Sequence, residues 1–296
     1  MKRMIHIIII NIILIGLCSC SSNNIESDEK YDVEDEIIET IYTDDDEKYE
    51  IIKTIYSDND ENINRYINIA YPQVTELENK YIECVINDKI RETALEPLKI
   101  YPLLEYVDIR SEYSVTRVSN DILSMYFAAY IEHAPPDSLT FYVRSNNSAS
   151  ILISTGEKIR LSDVVNINED FFDSFYDNFH LYGEYESDEI AKRIVDEDVK
   201  STFALDNLML SDQDNFTEVC SYFTEDSLFI SITVRKSAGS YALYEAKYSD
   251  IEEFLIPDLK CLWRNNCQLV QYPKGSKPPH GGRLRRQFDK VGRLGL

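Results

Sequence analysis

The chain has 296 residues, 53 acidic against 30 basic side chains and a formal net charge of -23. That length holds one large or two small domains with a proper core, and the apolar share of 44% is globular rather than disordered. So acidic a chain excludes a nucleic-acid surface, which needs a basic face, and favours a cationic partner.

Lys2 and Arg3 precede an apolar run over 5–17, interrupted by Asn11, in the order of a secretory signal. The run is too short for an ordinary membrane-spanning helix. It ends in Leu17-Cys18-Ser19-Cys20, which resembles a bacterial lipobox. The resemblance implies that residues 1–19 are a lipoprotein signal peptide and that Cys20 becomes the new N-terminus, with diacylglycerol on its sulfur and a further acyl chain of the palmitate kind. Such an anchor holds a protein on the extracytoplasmic face of a bacterial membrane without a transmembrane helix. Ordinary cleavage near Ser21 or Ser22 is the alternative.

Residues 20–64 read as an acidic linker containing a two-copy repeat: Ile37-Ile38-Glu39-Thr40-Ile41-Tyr42 recurs fourteen residues later as Ile51-Ile52-Lys53-Thr54-Ile55-Tyr56. Two copies are too few for a solenoid. A solvated spacer is the expectation; a pair of sticky strands, or an acidic tether that attracts cations, are the other readings.

The folded part is expected to start near Arg65. Residues 65–165 form an N-terminal half: a strand ended by Pro72, a helix capped near Thr75 and stopped before Pro97, then a central sheet. In that sheet Leu123, Met125, Phe127, Ala129 and Ile131 alternate with Ser124, Tyr126, Ala128 and Tyr130, a strand with one buried face. A turn is expected at Asn120-Asp121, another at Thr155-Gly156, and a helix start at Ser162-Asp163.

Residues 166–260 form a C-terminal half, with Phe171, Phe172, Phe175, Tyr176 and Phe179 on one amphipathic segment, a second sheet over 218–248 and a short helix ending at Leu255. Strands and helices in separate runs predict an α+β fold, a largely antiparallel sheet with helices packed on one face. Residues 261–296 are a basic, Pro- and Gly-rich tail. It reads either as a segment that touches anionic polymer or as sequence foreign to the rest.

Four cysteines remain after the signal: Cys84, Cys220, Cys261 and Cys267. Outside the cytosol they allow one or two disulfides; Cys84 and Cys220 read as buried free thiols, Cys261 and Cys267 as a possible loop staple. No CxxC or HExxH spacing occurs, so no metal site and no cofactor are expected. No GxSxG elbow occurs either. His133 and His180 are the histidines left outside the signal and the tail.

In order, residues 67–90, the STGEKIRLSDVV segment at 154–165 and residues 228–255 resemble the extracellular domain of the RsiV anti-sigma factor. They are also similar to the unit that precedes the catalytic domain in PdaC-type peptidoglycan deacetylases and that occurs in lipoproteins of unknown function. The likeness covers roughly residues 65–255. It implies a binding module for a cationic protein such as lysozyme, or for peptidoglycan. The sigma-binding segment and transmembrane helix of RsiV, and the deacetylase domain of the PdaC enzymes, have no counterpart here, which favours a receptor or decoy over a signalling protein or deacetylase. Relatives carry a Gly-Ala-His turn where this chain has Glu132-His133-Ala134 followed by two prolines. His133 is therefore one candidate ligand-binding residue, against a bland reading as a hydrogen-bonded loop histidine. Lys236 to Tyr244 resembles the family's Tyr/Ala/Gly turn, so Tyr241, Tyr244 and Tyr248 are candidate recognition residues, against a reading as core tyrosines. No catalytic residue is assigned, and a carboxylate-dependent hydrolase or a wall accessory remains the alternative.

Overall fold

The computed structural model describes residues 36–42, 49–100, 105–183, 193–197, 199, 219–234 and 240–256, all within one compact unit. Cys20, Cys261, Cys267 and the tail lie outside these residues. The fold is α+β, built on two mostly antiparallel sheets with few, short helices.

The first sheet has six strands in sequence order. They are β1 (Glu36–Tyr42), β2 (Glu50–Asp60), β3 (Arg65–Thr75), β4 (Val107–Val118), β5 (Ile122–His133) and β6 (Phe141–Leu152). The repeat copies are therefore strands, not spacer: β1 pairs antiparallel with β2, and β2 pairs with β3 along its whole length from Glu50↔Thr75 to Asp60↔Arg65. The acidic end of the second copy does not repel the sheet, because Asp58 accepts a 3.0 Å hydrogen bond from the buried Arg65 guanidinium. The fold therefore begins before Arg65: β1 is already part of the sheet, and Tyr49 is 2% exposed.

Among the described strands only β3 and β4 run parallel. Parallel neighbours need a crossover, supplied by α1 (Lys80–Ala94) and α2 (Glu96–Ile100). The cap of α1 is Asn79, whose side chain accepts from the Tyr81 and Ile82 amides, not Thr75, because β3 runs on through Pro72. Proline is tolerated there since the pairing with β4 ends at Ile69↔Ser111, leaving β3 a partner on one side only. Pro97 lies in the first turn of α2, where its missing N–H costs nothing. Ile86 and Ile90 of α1 bury against Ile67, Ile69, Ile109, Met125 and Ile131, which fixes one face of the sheet as core. The turn after β6 presses on the same helix: Gly156 has φ +70°, and a Cβ there would stand 2.8 Å from Val85 Cγ1, so both conformation and space require glycine.

The second sheet has the order β7-β10-β9-β8, with β7 (His180–Tyr182), β8 (Val219–Phe223), β9 (Ser227–Thr233) and β10 (Tyr241–Lys247). One of its faces packs on α3 (Leu161–Val164), α4 (Glu169–Asp173) and α5 (Phe175–Asn178), making a second core around Phe171, Phe175, Phe179, Ile230 and Tyr244. The aromatic stripe predicted as core is core. The helix expected to end at Leu255 is a run of turns, closed by a bridge between Val165 and Leu255.

Strand β8 lies across the other, non-helical face of β4, β5 and β6, and the junction is polar. A bulge between Val115 and Arg117 brings two donors onto β8: Thr116 Oγ1 to the Phe223 carbonyl at 2.8 Å and Arg117 Nη1 to the Thr224 carbonyl at 3.2 Å. The Phe223 amide donates to Ser124 Oγ, which also pairs with Ser150 Oγ, while Ser148 Oγ donates to the Ser221 carbonyl and Asn146 to Ser231 Oγ. Each buried backbone group named here has a partner, as burial demands.

Candidate binding site

The second sheet covers only one end of that face. At the other end, among the described residues, pairs in register define two uncovered rows and a third that passes from exposed Glu112 to the junction at Asn146. One runs Asn68, Arg110, Tyr130, Arg144; the next Tyr66, Asp108, Glu132, Tyr142; the third Glu112, Ala128, Asn146. Partners in register share a face, so these side chains stand together opposite the Ile109, Ala129 and Ile131 core. Tyr66, Tyr130 and Tyr142 are 44%, 38% and 49% exposed, an unusual cost in apolar area for a single face of a small sheet.

Two contacts organise the patch. Tyr130 and Tyr142 are diagonal neighbours on β5 and β6, and their rings stack at 5.8 Å between centroids with 28° between planes; diagonal positions are within reach of aromatic side chains. Beside them Arg110 Nε donates to Asp108 Oδ1 at 2.9 Å, and Nη2 donates to the other oxygen. The Asp108 contact holds the Arg110 guanidinium above its usual range, and desolvation together with Glu132 pushes the Tyr130 phenol up. Tyr130 therefore remains a hydrogen-bond donor at physiological pH. Asp108 and Glu132 face each other across β4 and β5, but both oxygens of Asp108 already accept from Arg110, so the two carboxyls are not an isolated acid–base pair.

The residues expected from the sequence to bind ligand are elsewhere. His133 points to the core side of β5, between Val107 and Phe141 in register, with its ring 4.9 Å from Phe141 and its Nδ1 buried and without a hydrogen-bond partner among the described residues. Tyr244 is 1% exposed; its hydroxyl donates to Asp196 Oδ1 at 2.8 Å and its ring meets Phe175 and Tyr176. Tyr248 is 9% exposed and donates to the Thr224 carbonyl at 3.0 Å. Both are packing residues, and neither offers a ring to a partner. Tyr241 is half-buried on β10 near Tyr126 and Tyr222, at the junction of the sheets. The structure does not bring these four together. The signal that marks the exposed face was present in the polar phase of each strand, Tyr66 and Asn68 on β3 and Tyr130 and Glu132 on β5; the register that joins those strands was not.

No family model matches the chain, and no curated protein matches it. Its structural neighbours are DUF3298 proteins. A member of that family from Bacteroides fragilis NCTC 9343 aligns with 73% of this chain and 97% of its own length at 9% identity and a TM-score of 0.41. A DUF3298 protein from Pseudomonas aeruginosa PAO1 aligns with 72% and 96% at 8% identity and a TM-score of 0.40. DUF3298 denotes a domain of unknown function.

Cys84 and Cys220 are half-buried rather than buried as expected; the Cys84 thiol donates to Asp88 Oδ2 at 3.8 Å, and neither forms a disulfide among the described residues. Cys220 lies in the polar junction, where desolvation outweighs its hydrogen bonds to Ser148 and Ser231 and pushes the thiol from 9.0 up to about 11. As pH rises past 9 the unfolded thiol ionises while the folded one keeps its proton, so stability falls between about pH 9 and 11. Melting curves at pH 8, 9.5 and 11 should show this loss in the wild type and a smaller one in Cys220→Ala. Equal losses would mean that Cys220 does not carry the effect. Among the described residues no three His, Cys, Asp or Glu side chains converge as metal ligands, and no helix is long and apolar enough to cross a membrane.

Proposed function

We propose that the chain is a lipid-anchored, extracytoplasmic, non-catalytic binding module that takes a cationic protein of the lysozyme type, or peptidoglycan, on the open face of its first sheet. The anchor is Cys20, and the membrane is the bacterial one from whose outer side the module projects. The observation that carries this reading is the set of three exposed tyrosines held on β3, β5 and β6 of one sheet face, with the Asp108–Arg110 pair among them. Tyrosine supplies contact area at small entropic cost, and a sheet face loses little freedom when it is covered. The resemblance to the RsiV extracellular domain supports a protein or wall ligand. The chain's net charge of -23 would steer a cationic partner in from a distance and make its association fall with salt.

The test uses the full chain in detergent micelles, titrated with a cationic lysozyme at low and at physiological salt and, separately, pelleted with intact peptidoglycan. Saturable binding to either, reduced at least tenfold by Tyr142→Ala, is expected. The reading is abandoned if neither is bound, or if binding is indifferent to Tyr66, Tyr130 and Tyr142 together.

A further inference from the structure

The open face differs from the rest of the chain in its charge. Asp108, Glu112 and Glu132 stand against Arg110 and Arg144, which leaves a single excess negative charge on three rows of a chain whose total is -23. A surface built to seat a cationic protein would gather carboxylates at its centre. Here the centre holds an acid and a base bonded to each other, ringed by phenols. That arrangement complements an uncharged ligand carrying both donors and acceptors.

The spacing of the rings narrows the class. Tyr66 and Tyr142 occupy one row, separated by β4 and β5. Three inter-strand steps place them about 14 Å apart. The Tyr130–Tyr142 stack is one aromatic platform and Tyr66 is the second, with Asp108, Arg110 and Glu132 between them. A pyranose ring has an apolar C–H face, which packs on the negative face of an aromatic ring. Its equatorial hydroxyls, at the ring edge, suit carboxylate acceptors and guanidinium donors. One sugar cannot reach both platforms; a short chain can, with its middle residue over the Asp108–Arg110 pair.

We propose that this face binds a neutral saccharide chain lying across the strands from Tyr66 to the Tyr130–Tyr142 stack. The inference rests on the reading of the face as the ligand site and names which of the two ligand classes it takes. Arg110, with Nε and Nη2 engaged on Asp108, keeps Nη1 for the ligand, and Glu132 accepts from the neighbouring sugar. The acidic remainder of the chain plays no part in affinity.

Chitohexaose and cellohexaose are the probes, titrated calorimetrically into the full chain in detergent micelles. Binding of at least one is expected at submillimolar concentration, unchanged between 50 mM and 500 mM salt on the order of the Debye-length argument for a neutral ligand. Tyr66→Ala and Tyr142→Ala should each weaken it about tenfold or more, the loss expected when a stacking ring is removed. Tyr81→Ala, at a 71% exposed tyrosine on α1, should leave it unchanged. Chitobiose, which reaches one platform, should bind at least tenfold more weakly than chitohexaose on the same stacking argument, as an order-of-magnitude expectation. All three tyrosines are exposed, so the variants should melt with the wild type, and a melting scan confirms it. The inference is overturned if neither hexasaccharide binds at millimolar concentration, or if binding survives Tyr66→Ala and Tyr142→Ala combined. If lysozyme binds this face and the oligosaccharides do not, the inference alone falls; if nothing binds, the broader reading falls with it.

Discussion

Replacing Phe175 by alanine is expected to lower stability by about 3–5 kcal/mol, the range for removing a fully buried aromatic ring. Phe175 is 0% exposed at the start of α5. Its ring stacks on Phe179 at 4.6 Å and 12°, and it meets the edges of Tyr176 at 5.3 Å and Tyr244 at 5.2 Å. Aromatic contacts of this kind contribute beyond area alone. The helices around it are a turn or little more in length, so they hold no shape of their own and cannot easily close over a cavity. Urea unfolding followed by far-UV circular dichroism is the measurement, with the shift read in the midpoint at constant slope. Tyr182→Ala, at a 49% exposed ring on β7, is the control and should cost little. A loss below about 1 kcal/mol at Phe175 would contradict a second core organised on that ring.

The parts of the fold legible in the sequence are those fixed by local alternation. Strand β5 declares itself because Leu123 to Ile131 are apolar at every second position, and the turn before it because Asn120-Asp121 interrupts two such runs. The Thr155-Gly156 turn is legible because a glycine stands where φ is +70° and a Cβ would also crowd Val85. The repeat strands are not legible, because Asp58-Asn59-Asp60 reads as solvated while the stabilising partner, Arg65, lies across a hairpin. Local charge density gives no hint of a guanidinium supplied by the next strand.

The candidate site was obscured by a different kind of non-locality. Tyr66, Tyr130 and Tyr142 come from three strands, and their common face exists only through the register Tyr66↔Asp108↔Glu132↔Tyr142. Tyr241, Tyr244 and Tyr248 are candidates through the likeness of residues 236–244 to a Tyr/Ala/Gly turn, and they lie close together in sequence. Tyr244 is buried because β10 turns it toward the second core, Tyr248 because the turn after β10 packs back on that core, and their hydroxyls found Asp196 and the Thr224 carbonyl. Clustering along the chain is weak evidence for a surface when 21 tyrosines must be placed. Alternation on a strand is better evidence, and it identified the outward phase of β5 without identifying its neighbours.

A chain cut to begin at Arg65 is expected not to fold. The cut removes β1 and β2, and with β2 it removes Tyr49, Ile51 and Ile52 from the interior, at 2%, 0% and 8% exposure. At about 1.5–3 kcal/mol for each buried side chain, the loss is of the order of the whole stability of a domain. It also leaves Arg65 without Asp58 in a site where its side chain is 7% exposed, and removing one partner of a buried ion pair is more costly than never having formed it. Finally it turns β3 into the sheet edge and leaves its stretch beyond Ile69, with Tyr71 and Val74, without a strand partner on either side, which invites association between chains. Circular dichroism and size exclusion of the truncated chain should show no cooperative melt and a large aggregated fraction. Ile51→Ala in the full chain separates burial from the other effects and should cost about 2–5 kcal/mol. A truncated chain that melts cooperatively as a monomer would restore the solvated-spacer reading of residues 20–64 and detach the repeat from the fold.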